Sequence, residues 1–332
     1  MWNKNKPYVR VAVGVILRED GAVLLSSRPA DKPWPLWWEL AGGKIENEES
    51  VLEALSRELK EEIGISITTA TPWVKYVHEY SVNVVELNFY KVTKWEGEAT
   101  PLENQRVAWH HPGLPMHLDI GPVLPATFPI LRWLQLADRY LISSIGNVAG
   151  IAPWLLRLKE ALENGVGLVQ FREPDWAAAA TTKAEQAEIF EVLQQTVALC
   201  DQYGAYCLLN SVHPVEWLPH TDGLHLRSRD AATLVTQKQS APITEGQLLA
   251  VSTHNAAEIA LATELKSDFL VLGHVLPTPS HPNEEALGWE RFAELAAEAG
   301  RPVFALGGMP ADIAGKVRSH GGHGIAGIRG IK

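Results

Sequence analysis

Gly42 to Ile65 reads Gly-Gly-Lys-Ile-Glu-Asn-Glu-Glu-Ser-Val-Leu-Glu-Ala-Leu-Ser-Arg-Glu-Leu-Lys-Glu-Glu-Ile-Gly-Ile. Leu52, Leu55, Leu59 and Ile63 recur at helical spacing, which predicts a helix from Ser50 to Ile63 with Gly64 suited to its C-cap. Glu58, Glu61 and Glu62 stand at i, i+3 and i+4, so three carboxylates share one face of that helix. Like charges at this spacing repel by a few tenths of a kcal/mol per pair. That penalty is offset if a hard divalent cation binds there, because magnesium prefers carboxylate and water oxygens. Magnesium on a diphosphate neutralises its charge and can activate water for attack on phosphorus. The glycines before the helix permit a tight loop whose carbonyls can reach the metal. A run of charge is ordinarily a solvated face. Here the joint spacing of Gly43, Glu49, Arg57, Glu58, Glu61, Glu62 and Gly64 decides for a site.

Around this segment the first half alternates between strands and loops. Val9–Leu17 reads as a strand, Asp20-Gly21 as a hairpin signal, and Val23–Leu25 as the returning strand. Residues 29–37 hold three prolines and no period, so they read as a loop. Val74–Val92 reads as two more strands, and Phe128–Leu136 as a short closing helix. The second half has another rhythm. Eight short apolar runs begin at Tyr140, Leu168, Tyr206, Gly223, Leu248, Phe269, Val303 and Gly324. Helical segments such as Trp154–Asn164, Lys183–Tyr203, Ala256–Leu265 and Trp289–Ala299 separate most of them. That alternation predicts a parallel (β/α)8 barrel. The expected domains are residues 1–136 and 138–332, and the last barrel helix is expected to be truncated.

The composition agrees with two ordinary α/β domains. The chain has 332 residues, 46% hydrophobic and 20% charged, which excludes bulk disorder. No apolar run approaches the roughly 18 residues a membrane span needs, and Met1–Lys6 does not read as a secretory signal. Two cysteines, Cys200 and Cys207, cannot make a disulfide framework and read as buried thiols in a reducing cytoplasm. A net charge of −10 argues against a nucleic-acid polymer as partner. His110, His111, His320 and His323 show no metal-ligand spacing and read as surface or loop residues.

The segment Gly43-x5-Glu49-x7-Arg57-Glu58-Leu59-x-Glu61-Glu62-x-Gly64 resembles the Nudix box. Gly42–Glu46 is similar to the MutT branch, the diphosphatases that sanitise oxidised nucleotides. The resemblance covers about residues 8–135 and implies a Nudix α/β/α sandwich with a mixed sheet. It implies magnesium, or manganese in its place, on Glu58, Glu61, Glu62 and the Gly42 carbonyl. It gives Arg57 the task of orienting the helix through Glu49, and places Glu103 as a loop carboxylate at the metal site or as base. It also puts Lys44, Arg28, Tyr80 and Thr127 on the substrate. Two departures stand out: Leu40-Ala41 where MutT has Phe-Pro, and Thr127 where MutT has the asparagine that reads the oxidised guanine. A hydroxyl cannot supply the bidentate pair of an amide.

Residues 138–332 resemble the thiamine-phosphate synthase and TenI group. The resemblance rests on Val169–Glu173, Asp222–Leu226, Val251–His254, Gly273–Thr278 and Leu306–Gly308. It implies a site at the C-terminal ends of the strands, with Arg172, Asn210, His254, Gly307 and Gly308 as candidates. Pro174, Ser211-Val212 and Pro279-Ser280-His281 stand where the synthase has phosphate-binding lysines and a magnesium acid. The expectation is therefore a magnesium-dependent hydrolase of 8-oxo-dGTP with a degenerate, phosphate-ligand-binding barrel. The alternative is a thiamine-metabolism protein that hydrolyses thiamine-related diphosphates beside a TenI-like isomerase or sensor, in which His254 would be acid or base.

Overall fold

The computed structural model describes residues 4–116, 120–278 and 285–331. The chain divides into two compact units, Met1–Gln135 and Leu136–Lys332. The first contains β1 (Tyr8–Ile16), β2 (Val23–Ser27), β3 (Trp38–Glu39), β4 (Gly42–Lys44), α1 (Val51–Ile63), β5 (Ser66–Glu79), β6 (Val84–Glu96), β7 (Val107–His110) and α2 (Phe128–Trp133). Two sheets form, ordered β4-β1-β6-β5 and β3-β2-β7. β1 and β6 run parallel and the other ladders are antiparallel, so the larger sheet is mixed as expected.

The Asp20-Gly21 signal makes a turn, with the Arg18 N–H donating to Ala22 O, but no hairpin ladder. Only Leu17 and Val23 bridge, because both edges of β1 are already taken by β4 and β6. β2 leaves for the other sheet. β5 and β6 are longer than expected, and register shifts let Pro72 sit within the ladder.

Helix α1 starts at a capping box, where the Ser50 hydroxyl accepts from the Glu53 N–H and Glu53 accepts from the Ser50 N–H. It ends at Gly64, whose φ of 72° lies in the left-handed region open to glycine. Ala54, Leu55, Leu59 and Ile63 pack against Ala12, Ile16, Leu24 and Val92. Leu52, expected on this stripe, is exposed; Ala54 takes its place beside Leu55. The opposite face is left to the glutamates.

The second unit is a closed parallel barrel ordered β10-β11-β12-β13-β14-β15-β8-β9. Its strands are β8 (Arg139–Ile142), β9 (Leu168–Phe171), β10 (Tyr206–Asn210), β11 (Gly223–Leu226), β12 (Leu248–Thr253), β13 (Phe269–Gly273), β14 (Val303–Leu306) and β15 (Gly324–Gly327). Its helices are α3 (Ile151–Glu163), α4 (Pro174–Ala179), α5 (Lys183–Gln202), α6 (Ser228–Thr236), α7 (Ala256–Glu264), α8 (Gly288–Glu298) and α9 (Ala314–Ser319). Between β10 and β11 the crossover is a 3-10 helix, Val215–His220, because Pro219 cannot continue an α-helical ladder. Among the described residues no helix follows β15. Each strand buries every or nearly every residue, the pattern of a parallel sheet covered on both faces.

Cys200 and Cys207 are free and buried. Of the four histidines read as surface or loop residues, His110 and His323 are buried, His323 in the loop before β15. His110 closes β7 opposite Val23, and His323 donates from Nε2 to Leu136 O at 2.9 Å. Pairing with a carbonyl makes burial of that ring tolerable. Among the described residues no helix is long and apolar enough to cross a membrane.

Candidate active site

Two backbone devices hold the acidic face of α1 in place. The first is the glycine pair of β4. A Cβ on Gly42, whose φ is 148°, would strike the Ala12 carbonyl, and one on Gly43 would land on the Glu58 carboxylate. Glycine alone lets this strand lie against both. The Gly42 N–H then donates to Glu62 Oε2 at 3.1 Å. The second device is the loop after β6. Its Leu102 N–H donates to Glu62 O at 2.9 Å and its Thr100 N–H to Ile63 O at 3.0 Å. Buried Gln105 completes the tie, donating to Glu62 O and accepting from the Glu103 N–H, both at 2.6 Å. Glu103 is thereby held beside the end of α1, where its charge acts on Glu62.

Arg57 supplies the orientation. Its fork grips Glu49 twice, at 3.0 Å from Nε and 3.0 Å from Nη2, and Nη2 also donates to Lys44 O at 3.1 Å. The remaining Nη1 reaches Glu58 at 2.8 Å and Glu61 at 3.4 Å. Hydrogen bonding to Arg57 holds the Glu49 carboxyl below its usual range. Glu62 goes the other way. Burial raises its carboxyl to about 7, and the charges of Glu39, Glu58 and Glu103 push in the same direction against the Gly42 hydrogen bond. Arg57 is thus shared among three carboxylates, Glu49, Glu58 and Glu61.

The donor set consists of hard oxygens, and it carries charge in search of a cation, so the residues fit a divalent metal. Among the described residues no group of three carboxylates, histidines or cysteines is gathered closely enough to hold an ion as they stand. Arg57 occupies oxygens of Glu58 and Glu61 instead.

The residues expected on the base divide. Arg28 donates to Glu39 Oε1 and to Pro33 O, both at 2.6 Å. Burial raises the Glu39 carboxyl while Arg28 opposes the shift. Tyr80 lies within the field of Glu39 and Arg28, its hydroxyl raised by burial first and by Glu39 second. Arg28, Tyr80 and Glu62 therefore surround Glu39, a residue the sequence reading passed over. Its signal was only a lone acid on the two-residue strand before the glycine pair. Thr127 is buried at the start of α2, tied through Leu124 to Trp38 O. Lys44 is exposed, and only its carbonyl is engaged by Arg57.

In the barrel Asn210 and Arg172 act on one buried network, whereas His254 is paired with Glu258. Asn210 is buried in the lumen and donates to Gln170 Oε1 at 2.8 Å. Gln170 in turn donates to His225 Nδ1 at 3.0 Å and to the Tyr140 hydroxyl at 3.3 Å. His225 Nε2 meets Ser252 Oγ at 2.8 Å. Burial, then Arg172, lowers the His225 pKa to about 3, so the ring is neutral. The lumen histidine is thus His225, whereas His254 is exposed and paired through Nδ1 with Glu258 at 2.8 Å. Arg172 is half-buried with its N–H on Ser143 Oγ. Gly307 and Gly308 have φ of 96° and 65° at the end of β14, where a Cβ would strike His274 and Leu276. Thr278 is described; Pro279, Ser280 and His281 lie outside the described residues.

A carboxylate helix face held against a glycine turn is the arrangement of a hydrolase acting on diphosphate bonds, and it is carried here beside a separate (β/α)8 barrel. Comparison with known proteins gives the families. Residues 7–133 match the model described as NUDIX domain, and residues 140–331 the one described as thiamine monophosphate synthase, so the chain belongs to both. It is 35% identical over 120 residues to the CTP pyrophosphohydrolase of Escherichia coli, covering 36% of this chain and 87% of that protein. It is 33% identical over 131 residues to the 8-oxo-dGTP diphosphatase of Haemophilus influenzae, covering 39% of this chain and 93% of that protein. The barrel is 31% identical over 158 residues to a thiamine-phosphate synthase of Synechococcus, covering 47% of this chain and 42% of that protein.

Proposed function

We propose that the first unit hydrolyses a nucleoside triphosphate, 8-oxo-dGTP foremost, to the monophosphate and diphosphate, and so removes oxidised nucleotide before it enters DNA. The observation that supports this reading is the acidic face of α1, where Glu58 and Glu62 lie against the glycine pair of β4 and one arginine is shared between Glu49, Glu58 and Glu61. Glu58, Glu61, Glu62 and Glu103, with the Gly42 carbonyl, would hold magnesium or manganese. The metal supplies charge neutralisation on the phosphates and a more acidic water. Arg57 fixes the direction of the carboxylates through Glu49. Glu103, whose backbone is held by Gln105, would accept the proton of the attacking water. Lys44 is free to reach a phosphate oxygen from the solvent side. Arg28, Glu39 and Tyr80 would line the base.

A second reading concerns the base alone. Thr127 stands where the resemblance to MutT implies an asparagine that reads the oxidised purine, and one relative carries the name CTP pyrophosphohydrolase. A cytosine nucleotide needs fewer contacts there. The barrel would bind a phosphate ligand near Gly307 and Gly308 without chemistry of its own, because the lumen groups engage one another.

The test is diphosphate release with magnesium, comparing kcat/KM for 8-oxo-dGTP, dGTP, CTP and thiamine diphosphate. A preference of about two decades for 8-oxo-dGTP over dGTP, about 2.7 kcal/mol of transition-state discrimination, is the expected result. Preference for CTP would move the assignment to the second reading. Preference for thiamine diphosphate would make the barrel the guide to substrate. Unchanged turnover in Glu61→Gln at saturating magnesium would remove the proposed metal site. Calorimetry with thiamine phosphate tests the barrel; absence of heat would count against a phosphate ligand.

A further inference from the structure

The ion pair of Arg28 and Glu39 is engaged on one side only. Arg28 stands just past the end of β2, and Glu39 lies on β3, paired with Ser26 across the ladder. Arg28 Nη1 donates to Glu39 Oε1 and Nε to Pro33 O, both at 2.6 Å. Among the described residues Glu39 Oε2 accepts no hydrogen bond and Arg28 Nη2 donates none. Neither atom is a buried orphan, so both reach solvent. The two side chains are 23% and 31% exposed, which leaves them open to a ligand. A free acceptor thus stands beside a free donor, each already aimed by the pair they belong to. Tyr80 lies in the field of both and adds an aromatic ring for stacking.

An oxidised purine has the matching edge. Oxidation at C8 places a carbonyl oxygen there and a hydrogen on N7, so a donor adjoins an acceptor. The parent purine keeps a lone pair at N7 and has no oxygen at C8; a carboxylate facing that nitrogen repels it. Thr127 cannot make this distinction alone. It is 5% exposed, in the segment whose Leu124 N–H bonds to Trp38 O beside Glu39. One hydroxyl cannot pair with two neighbouring edge atoms.

We propose that Glu39 is a specificity-determining residue of the first unit: its Oε2 accepts from N7–H of an 8-oxopurine while Arg28 Nη2 donates to the C8 carbonyl. This rests on the reading of that unit as a nucleoside triphosphate hydrolase and narrows its substrate class. The N7–H and C8 carbonyl are the same in 8-oxoguanine and 8-oxoadenine, and the 6-substituent takes no part in the contact. The class is therefore 8-oxopurine nucleotides, adenine as well as guanine. Sites built to hydrogen-bond a substrate donor reject the analogue that lacks it, because the buried partner is left unpaired.

The test is kcat/KM of the full chain with magnesium for 8-oxo-dGTP, dGTP, 8-oxo-dATP and dATP. The ratio of each oxidised nucleotide to its parent is the readout, because any effect of the Glu39 charge on Glu62 acts on all four alike. In the unmodified chain both ratios should be about 100-fold, and the two oxidised substrates should lie within about tenfold of each other. Glu39→Gln keeps an oxygen for Arg28 and turns the free acceptor into an amide donor, so both ratios should fall at least about tenfold. Arg28→Lys keeps the charge but loses the fork, and both ratios should again fall. Calorimetry with 8-oxo-dGMP and dGMP reads the same preference without turnover. Should Glu39→Gln fail to fold, Arg28→Lys decides alone. Ratios unchanged by substitution, in a chain that itself prefers 8-oxo-dGTP, would overturn the role of Glu39 and leave the hydrolase reading standing. Rejection of 8-oxo-dATP would do the same. An unmodified chain with no preference for 8-oxo-dGTP over dGTP would overturn both.

Discussion

The α1 face and the barrel lumen both bury polar groups, and they treat them in opposite ways. In the lumen Tyr140, Gln170, Asn210, His225 and Ser252 satisfy one another through hydrogen bonds of 2.8 to 3.3 Å. At α1, Glu39, Glu58 and Glu103 all push the Glu62 carboxyl upward, and Arg57 is shared between Glu49, Glu58 and Glu61. A network whose members answer each other specifies structure. A cluster whose charges do not balance stores free energy that a missing ligand can release. The difference separates the two units although both come from families that act on phosphate compounds.

The largest effect should come from removing one of the unbalanced charges. Glu62→Gln keeps an acceptor for the Gly42 N–H but deletes a negative charge facing three others. Turnover should fall about 10³-fold, the loss expected when several kcal/mol of charge stabilisation is withdrawn. The metal-free protein should melt at a higher temperature, because repulsion is relieved. A variant that lost stability and kept activity would reverse the assignment, making Glu62 structural.

This opposition was only half legible in the chain. The i, i+3, i+4 spacing of Glu58, Glu61 and Glu62 revealed the helix face, because a helix converts spacing directly into position. The eight barrel strands were legible for a similar reason: each is a short apolar run bounded by turn residues. Glu39 and Gln105 were not legible. Their parts depend on Arg28, from the edge of β2, and on the carbonyl of Glu62, contacts that join residues 11 and 43 positions apart. The lumen position of His225 was not legible beside His254 for a similar reason. Both lie at or beyond the ends of neighbouring strands, and only the pleat decides that His225 points into the lumen while His254 turns back to Glu258. Leu52 failed similarly, since several phases of a 3.6-residue period fit four leucine-like positions.

The matched network makes the next prediction. Gln170→Leu removes two donated hydrogen bonds and one accepted bond, orphaning Asn210 Nδ2 in a closed lumen. Unfolding of the barrel should become about 3 kcal/mol easier, as for a buried donor left unmade. Hydrolysis by the first unit should be unchanged when measured well below the transition. Denaturant unfolding followed beside diphosphate release checks both. A stable Gln170→Leu barrel would show that the lumen polar groups serve a ligand rather than one another.

A pH effect of about 2 kcal/mol should follow from His225. Its folded pKa, about 3, lies below the unfolded value of about 6.5. Above the unfolded value both states are neutral and the histidine contributes nothing to pH dependence. As pH falls below it, the unfolded chain gains a proton the native lumen refuses, so stability drops with falling pH. Between neutrality and pH 5 the loss is about 1.36 kcal/mol for each of 1.5 pH units. Burial, the first cause, and Arg172, the second, both act in this direction. The difference in unfolding free energy between the unmodified chain and His225→Gln should therefore shrink as the solution is acidified. A difference independent of pH would mean that the ring is not held neutral.

The smallest effect should fall on Arg57, and it sharpens the comparison most. Arg57→Lys keeps a positive charge near Glu58 but cannot reproduce a two-toothed grip on Glu49. If the arginine serves to aim carboxylates at a metal, the magnesium concentration for half-maximal activity should rise about tenfold, the lower end of what outer positioning groups contribute. Turnover at saturating magnesium should change little. Glu49→Gln should reproduce the shift, and the double variant should add nothing further, because both substitutions break one contact. If Arg57 acts on the reacting phosphate instead, Arg57→Lys should lower kcat at every magnesium concentration while Glu49→Gln leaves kcat intact. The two outcomes distinguish a cluster that waits for a cation from one whose own cation does the work.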